Sequence, residues 1–443
     1  MKDNIMFYNR ENELQVLEKE YKRDGSAFTV IYGRRRVGKT ALIYEYIKDK
    51  PSLFIYATEA AFAIQLENLK PQLLKLINKP YLKDIKLESF SQLFELLNEY
   101  GFDKKLVLVI DEYQNLCKVD KSFSSWLQMI WDMQLKSKNI HLILSGSVIS
   151  MMHSEILDYS APLYGRRTSN IHLKPLLFKY IKEFLPSVSK EEQMRIFASF
   201  GTIPKYLELY EEEKTFLENI RDNILNKNSF LYSEGNFLLR QELGEVSTYF
   251  SILETISKGD TKVGNIASKL QVPSTHITRY LLKLIDLDIL MKEVPVTDTN
   301  PLKSKMGRYR FKDKFLQFWF FYVYKNYNLL EINQVDAVLK EIEKNFNDRF
   351  VSFAFEDFVA QDLMQNPSKY LDFVPKKVGR WWNKNEEIDL IAMDERNICF
   401  IECKWRNSVD KEQVLYQLVK KSKYVKHNLK ESFLVITKDD YLE

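Results

Sequence analysis

Gly33-Arg34-Arg35-Arg36-Val37-Gly38-Lys39-Thr40 fits the pattern G-x-x-x-x-G-K-[ST], and its flanks decide what it means. Phe28 to Tyr32 before it is short, apolar and β-rich, and Ala41 to Lys48 after it is helix-forming, so both glycines fall on a strand-to-helix turn. Gly33 and Gly38 allow the backbone to wrap closely around an anion. The N–H groups across Arg34, Arg35, Arg36 and Val37 and the helix N-terminus then face its charge. Lys39 is placed to reach β- and γ-phosphate oxygens and Thr40 to ligate Mg²⁺. The stretch predicts a nucleoside triphosphate as ligand.

Working outward, Phe28–Tyr32, Leu53–Ala57, Leu106–Ile110 and His141–Leu144 read as strands separated by helical segments, the signature of a mostly parallel sheet in an α/β domain. Asn9-Arg10-Glu11-Asn12-Glu13-Leu14 reads as the cap and first turn of an introductory helix. The run Leu106 to Asp111, then Glu112, supplies the acids a phosphate loop needs. Asp111 is the expected Mg²⁺ partner, and Glu112 is placed to orient or deprotonate an attacking water. Ser147, after the fourth strand, offers a hydroxyl to sense a γ-phosphate. Arg166 and Arg167 offer guanidiniums for a transferring phosphoryl group, in cis or on a neighbouring subunit of a homo-oligomer, and a solvated arginine pair is the alternative.

Composition sets bounds on the rest. The chain has 443 residues, 45% hydrophobic and 28% charged, which suits a globular protein of roughly three domains. Its net charge of +4 is too small to argue for nucleic acid except through local patches. Cys117, Cys399 and Cys403 show no C-x-x-C spacing, which fits a reducing compartment. Met1 to Glu13 has no signal-peptide core, and the most apolar stretch, Leu316 to Tyr324, is far short of the ~20 residues needed to span a bilayer. The expectation is a cytoplasmic protein without membrane contact.

From about Pro175 to Phe230 the pattern is nearly all helical and suits a lid over a nucleotide. Three short helices then precede two strands: Tyr249–Lys258, Lys262–Leu270, Ser274–Asp286, Ile289–Val296 and Arg308–Phe311. That order predicts a winged helix-turn-helix, with Thr275, Thr278 and Arg279 at the start of its recognition helix. Between Pro301 and Lys314 stand Lys303, Lys305, Arg308, Arg310, Lys312 and Lys314 against the single acid Asp313, a patch suited to DNA phosphates or to a solvated wing.

Tyr8-Asn9-Arg10-Glu11, the phosphate loop, Val109-Ile110-Asp111-Glu112, Ser145-Gly146-Ser147, Gly165-Arg166-Arg167 and Gly201-Thr202-Ile203-Pro204-Lys205-Tyr206 together resemble the archaeal-type ATPase family, a branch of the AAA+/STAND-like P-loop ATPases. The resemblance implies ATP as ligand, a sheet with the additional strand of catalytic-glutamate ATPases, and a lid beginning near Pro204.

Near the C-terminus, Glu356 on a helical stretch is followed by Asp389 on one strand and Glu402-Cys403-Lys404 at the tip of the next. Strand alternation puts Glu402 and Lys404 on one face, with Asp389 supplied by the neighbouring strand. Two carboxylates so placed can hold Mg²⁺ against a phosphodiester, Glu356 can complete the shell, and Lys404 can orient water or steady the developing charge. Gln417 on the following helix is a supporting candidate. The region resembles the PD-(D/E)xK, restriction-endonuclease-like domain, and the domain of unknown function that follows this ATPase in archaeal and bacterial proteins.

The expected architecture is therefore α/β multidomain: a P-loop core over residues 1–175, a helical lid over 176–237, a winged helix over 238–314, a helical connector over 315–348 and a nuclease-like domain over 349–443. Two functions fit it. One couples ATP binding and hydrolysis to DNA binding and Mg²⁺-dependent cleavage. The other is a nucleotide-dependent switch that binds DNA or protein without cutting.

Overall fold

The computed structural model describes residues 8–100 and 104–442. The first residues of the polar Met1 to Glu13 stretch lie outside them. The chain divides into two compact units. One runs to Leu176 and includes Ile203–Lys205, and the other comprises Leu177–Thr202 and the chain from Tyr206 onward.

In the first unit helix α1 (Glu11–Tyr21) precedes and α2 (Lys39–Ile47) follows β1 (Ala27–Tyr32), which with β2 (Ser52–Tyr56), β3 (Leu106–Asp111), β4 (Ile140–Gly146) and β5 (Ser169–His172) forms a five-stranded sheet in the order β2-β3-β4-β1-β5. Every pairing is parallel. β4 is thus inserted between the phosphate-loop strand and the acid-bearing strand, the additional strand that the resemblance implied. Both faces are covered, which is why the central strands are continuous apolar runs and not alternating ones. Phe28, Val30, Leu108 and Leu144 enter one core, and Ile31, Val107, Val109 and Ile143 enter the other. Strand β5, Ser-Asn-Ile-His, was not foreseen. Only Ile171 in it is buried, so it carries no apolar run to read. Because the strands are parallel, their carboxyl ends share one edge, and the turns after β1, β3 and β4 meet there.

In the second unit the winged helix falls where expected. Helices α3 (Ser247–Ser257), α4 (Val263–Leu270) and α5 (Ser274–Asp286) precede an antiparallel pair, β6 (Leu290–Glu293) and β7 (Arg308–Phe311). Gln271, at φ 54, is the left-handed residue ending α4, and the N–H of Val272 donates to the Ala267 carbonyl at 3.1 Å. The aromatic connector is broken near Asn333, whose φ is 60. Helical structure then runs from Val335 through a π-turn at Asn347–Val351 into α6 (Ser352–Gln365). Strands β8 (Lys377–Trp382), β9 (Glu387–Met393) and β10 (Asn397–Lys404) form an antiparallel meander, and β11 (Lys430–Thr437) pairs parallel to β10 after helix α7 (Lys411–Ser422). No described helix is long and apolar enough to cross a membrane.

Candidate functional site

The phosphate loop is held from both sides. Gly33 has φ 150, and a Cβ there would lie 2.3 Å from the Leu173 carbonyl oxygen, so close packing against the segment after β5 admits no side chain. Gly38, at φ 96, caps the helix Lys39–Ile47 in the left-handed region. Val37 is buried in the core beneath the loop. Arg10 was not anticipated here. Asn9 and Arg10 are both left-handed, so Asn9 is not the helix cap; Arg10 is, and its guanidinium donates to the carbonyls of Val37 at 3.0 Å and Lys174 at 2.8 Å. The helix Glu11–Tyr21 therefore begins as a clamp on the back of the loop.

Inside the loop Lys39 is buried and its Nζ donates to the carbonyls of Gly33 and Arg34, each at 2.9 Å. Thr40 Oγ1 donates to Asp111 Oδ2 at 2.8 Å, and the N–H of Glu112 donates to Asp111 Oδ1 at 3.0 Å. Glu112 sits at φ 54, a strained backbone for a glutamate, of the kind that gathers at working sites. Ser147 Oγ donates to Glu112 Oε2 at 2.6 Å, and Gln114 Nε2 donates to the same oxygen. Ser147 thus reaches the glutamate directly. Arg166 and Arg167 are engaged elsewhere. Arg166 forks onto Asp132 at 2.9 Å and donates to the carbonyls of Pro162 and Tyr164; Arg167 donates to the Ile156 carbonyl at 3.1 Å. Internal acceptors take both guanidiniums in this structure, as the Gly33 and Arg34 carbonyls take Lys39.

In the second unit the pairing of Ile401 with Leu390 brings Glu402 beside Asp389. Asp389 Oδ2 accepts from the Cys403 N–H at 2.8 Å and from Lys404 Nζ at 3.4 Å. Glu402 Oε1 accepts from Lys404 at 2.9 Å and from Lys421, on α7, at 3.0 Å, while its Oε2 is buried without a hydrogen-bond partner. Burial, then the neighbouring Glu402 charge, raises the Asp389 carboxyl above its ordinary range. Burial opposes the charge on Lys404, but Asp389 and Glu402 outweigh it and raise its pKa. Glu356 does not join as expected. Its Oε2 accepts from Arg380 Nε at 2.8 Å, and burial pushes its carboxyl up to about 8. Among the described residues no three His, Cys, Asp or Glu side chains converge as a metal cage, so Glu356 as a third ligand is a correction.

The basic wing is also revised. Thr275, Thr278 and Arg279 are exposed at the start of α5, and Lys303 and Lys305 are exposed on the wing. Arg310, however, donates to Glu293 and Asp357, each at 3.2 Å, and Lys314 pairs with Asp357 as well. Lys312 pairs with Asp288, and Arg308 with Glu387 at 2.9 Å while lying over the Trp382 ring. Arg308 and Arg310, expected as phosphate contacts, thus each meet carboxylates from other elements in this structure.

Residues 7–210 match the profile described as an ATPase domain predominantly from Archaea, and residues 319–415 match one described as archaeal and bacterial proteins of unknown function. A Methanocaldococcus jannaschii protein is 35% identical over 427 residues, covering 95% of this chain and 92% of its own. The chain belongs to this archaeal-type ATPase family. An ATP-binding protein of the same organism is 44% identical over 46 residues, 10% of this chain and 78% of its own. The fold is that of the Walker-type ATPase of Pyrococcus abyssi, with a TM-score of 0.53 at 20% identity over 71% of this chain and 96% of that one. The protein is an ATPase of this family.

Several residues of this archaeal-type ATPase escaped sequence reading. Arg10 lay in a quoted motif but was read as part of a helix cap. Gln114 had a signal in its position two residues after Glu112. Lys421 had none beyond the spacing of one helical turn from Gln417.

Proposed function

We propose that the chain hydrolyses ATP with Mg²⁺ at the first-unit site and uses the nucleotide state to govern a DNA-handling second unit with a phosphodiester-cleaving pocket. Thr40 Oγ1 and Asp111 Oδ2, 2.8 Å apart, form a pair of oxygen donors suited to one hard divalent cation. Bound there, Mg²⁺ would neutralise charge on the β- and γ-oxygens. Lys39 then exchanges the Gly33 and Arg34 carbonyls for phosphate oxygens, and Glu112 accepts a proton from the attacking water. Ser147 and Gln114 hold Glu112 in its present orientation and set which way its carboxylate faces. Lys39→Ala should abolish nucleotide binding in a fluorescent-ATP titration; unchanged affinity would refute the assignment.

For the second unit the reading rests on one observation. Asp389, Glu402 and Lys404 converge at the tips of β9 and β10, with Glu402 Oε2 buried and unpartnered. With Asp389 that oxygen would hold a divalent cation, which would supply charge stabilisation at a phosphodiester. The sheet order β11-β10-β9-β8, flanked by α6 and α7, supports the restriction-endonuclease-like comparison. Duplex contacts fall to Thr275, Thr278 and Arg279, with Lys303 and Lys305 on phosphates. Mg²⁺-dependent nicking of plasmid should disappear in Asp389→Ala and in Lys404→Ala, and nicking that survives both would remove the cleavage claim. A switch without cleavage is favoured by a different observation: two lysines already neutralise Glu402, and Glu356 is held by Arg380.

A further inference from the structure

Helix α7 closes the carboxylate pocket with Lys421 and packs Leu418 and Ser422 inward. Its outer side is unlike a solvated helix face. Tyr416 is 59% exposed, and Tyr424, in the turn after the helix, is 55% exposed, with Leu415 and Val419 partly exposed beside them. Lys420 Nζ lies 4.2 Å from the centre of the Tyr416 ring. Between Lys411 and Lys426 stand five lysines and one acid, Glu412. Lys411 pairs with Asp440 and Lys421 with Glu402, whereas among the described residues Lys420, Lys423 and Lys426 meet no carboxylate.

Exposed tyrosines interleaved with lysines that meet no carboxylate suit one occupant best. We propose that α7 and the turn after it form a platform for single-stranded nucleic acid, with unpaired bases stacked on Tyr416 and Tyr424 and the backbone phosphates on Lys420 and Lys423. Every base has a π-face, but a duplex hides its faces in the stack, so exposed tyrosines select single strands. The lysines make the strand's charge part of the recognition, which an apolar protein partner would not use. Lys421 stands one helical turn past Gln417 and ~7.5 Å along the axis from Tyr416, at 1.5 Å per residue. Those five residues also turn the helix by about 140° at 3.6 residues per turn, so a strand on the platform passes around α7 to reach Glu402 beside Lys421. This orientation rests on the reading of the pocket as a phosphodiester site.

The test is fluorescence anisotropy of labelled oligo-dT with the full chain in EDTA, where no cutting occurs. Wild type should bind, and an unlabelled duplex of equal length should compete poorly. The Tyr416→Ala/Tyr424→Ala pair should lose affinity at least ~10-fold, in keeping with the stacking contribution per base, while Tyr416→Phe/Tyr424→Phe retains it. An unchanged melting temperature in the alanine pair would show that folding is intact. Oligo-dT binding that ignores the alanine pair overturns the platform. So does a duplex that competes equally, or tyrosine-dependent self-association in sedimentation without strand binding. Tyrosine-dependent binding by a wild-type protein that never cuts with metal would keep the platform and discard only the cleavage reading.

Discussion

At the scale of single residues the nucleotide site is an arrangement of side chains that hold one another. Glu112 receives Ser147 and Gln114 while its backbone sits in the left-handed region. Glu112→Gln should keep ATP binding and lower turnover by a factor of about 10²–10⁴, the usual contribution of a positioned base. A phosphate-release assay beside a binding titration checks both halves, and full turnover in the variant would exclude a proton-accepting role. His141 offers a second residue-scale prediction. It is fully buried between the Thr29 hydroxyl and the Tyr46 hydroxyl, each at 2.8 Å, and burial, then the charge of Lys105, lowers its pKa to about 3. The unfolded chain binds this proton at ordinary histidine pH and the folded chain does not. Its contribution to stability is therefore present above pH 6.5 and lost progressively as pH falls toward 3. Between pH 7 and pH 5 the loss from this one group is about 2 kcal/mol, at ~1.4 kcal/mol per unit below its unfolded pKa. Urea unfolding at the two pH values should show that difference shrink in His141→Gln.

At the scale of elements the second unit is fastened where the sequence gives no hint of it. Asp357 on α6 accepts Arg310 from β7, Lys314 from the segment after it and Arg380 from β8, and Arg380 also reaches Glu293 on β6. The three cations hold Asp357 well below the usual carboxylate range despite its burial. Removing one partner of such a network strands buried charge, so Asp357→Asn should cost about 3–5 kcal/mol. The measurement is a denaturant titration, and a loss under ~1 kcal/mol would mean the ions are already solvated. Gly235 is a packing counterpart. A Cβ there would meet the Trp319 ring at 2.4 Å, and Trp319 is pinned through its Nε1 to the Tyr232 carbonyl at 2.7 Å. Gly235→Ala should destabilise by about 1–3 kcal/mol through overpacking, visible as a lowered melting temperature.

At the scale of the whole molecule, few basic residues of the wing lack a carboxylate partner among the described residues, and that bears on the proposed DNA contacts. Charge reversal of Lys303 and Lys305 should weaken duplex binding uniformly across sequences and reduce its salt dependence, as loss of phosphate contacts does. Electrophoretic shifts at several salt concentrations test this, and an unchanged slope would take the wing out of the interface. The parallel sheet, the phosphate loop and the winged helix were legible because each is written locally: an apolar run, a glycine spacing, a proline turn. Glu402 and Lys404 were legible as a pair because strand alternation puts them on one side, while the β9–β10 register sets Asp389 beside Glu402. The short strand β5 was not, since four mostly polar residues carry no period. The amino-acid order by itself determined a glycine-bounded loop between β1 and its helix that suits a triphosphate-sized anion, and two acids ending β3. Only the tertiary structure decided which charges remain available. Along the chain Arg308, Arg310, Lys312 and Lys314 face one acid, whereas in space Glu293, Asp288, Asp357 and Glu387 reach them from other elements. Coulomb attraction acts through distance and burial, and neither is a property of sequence position.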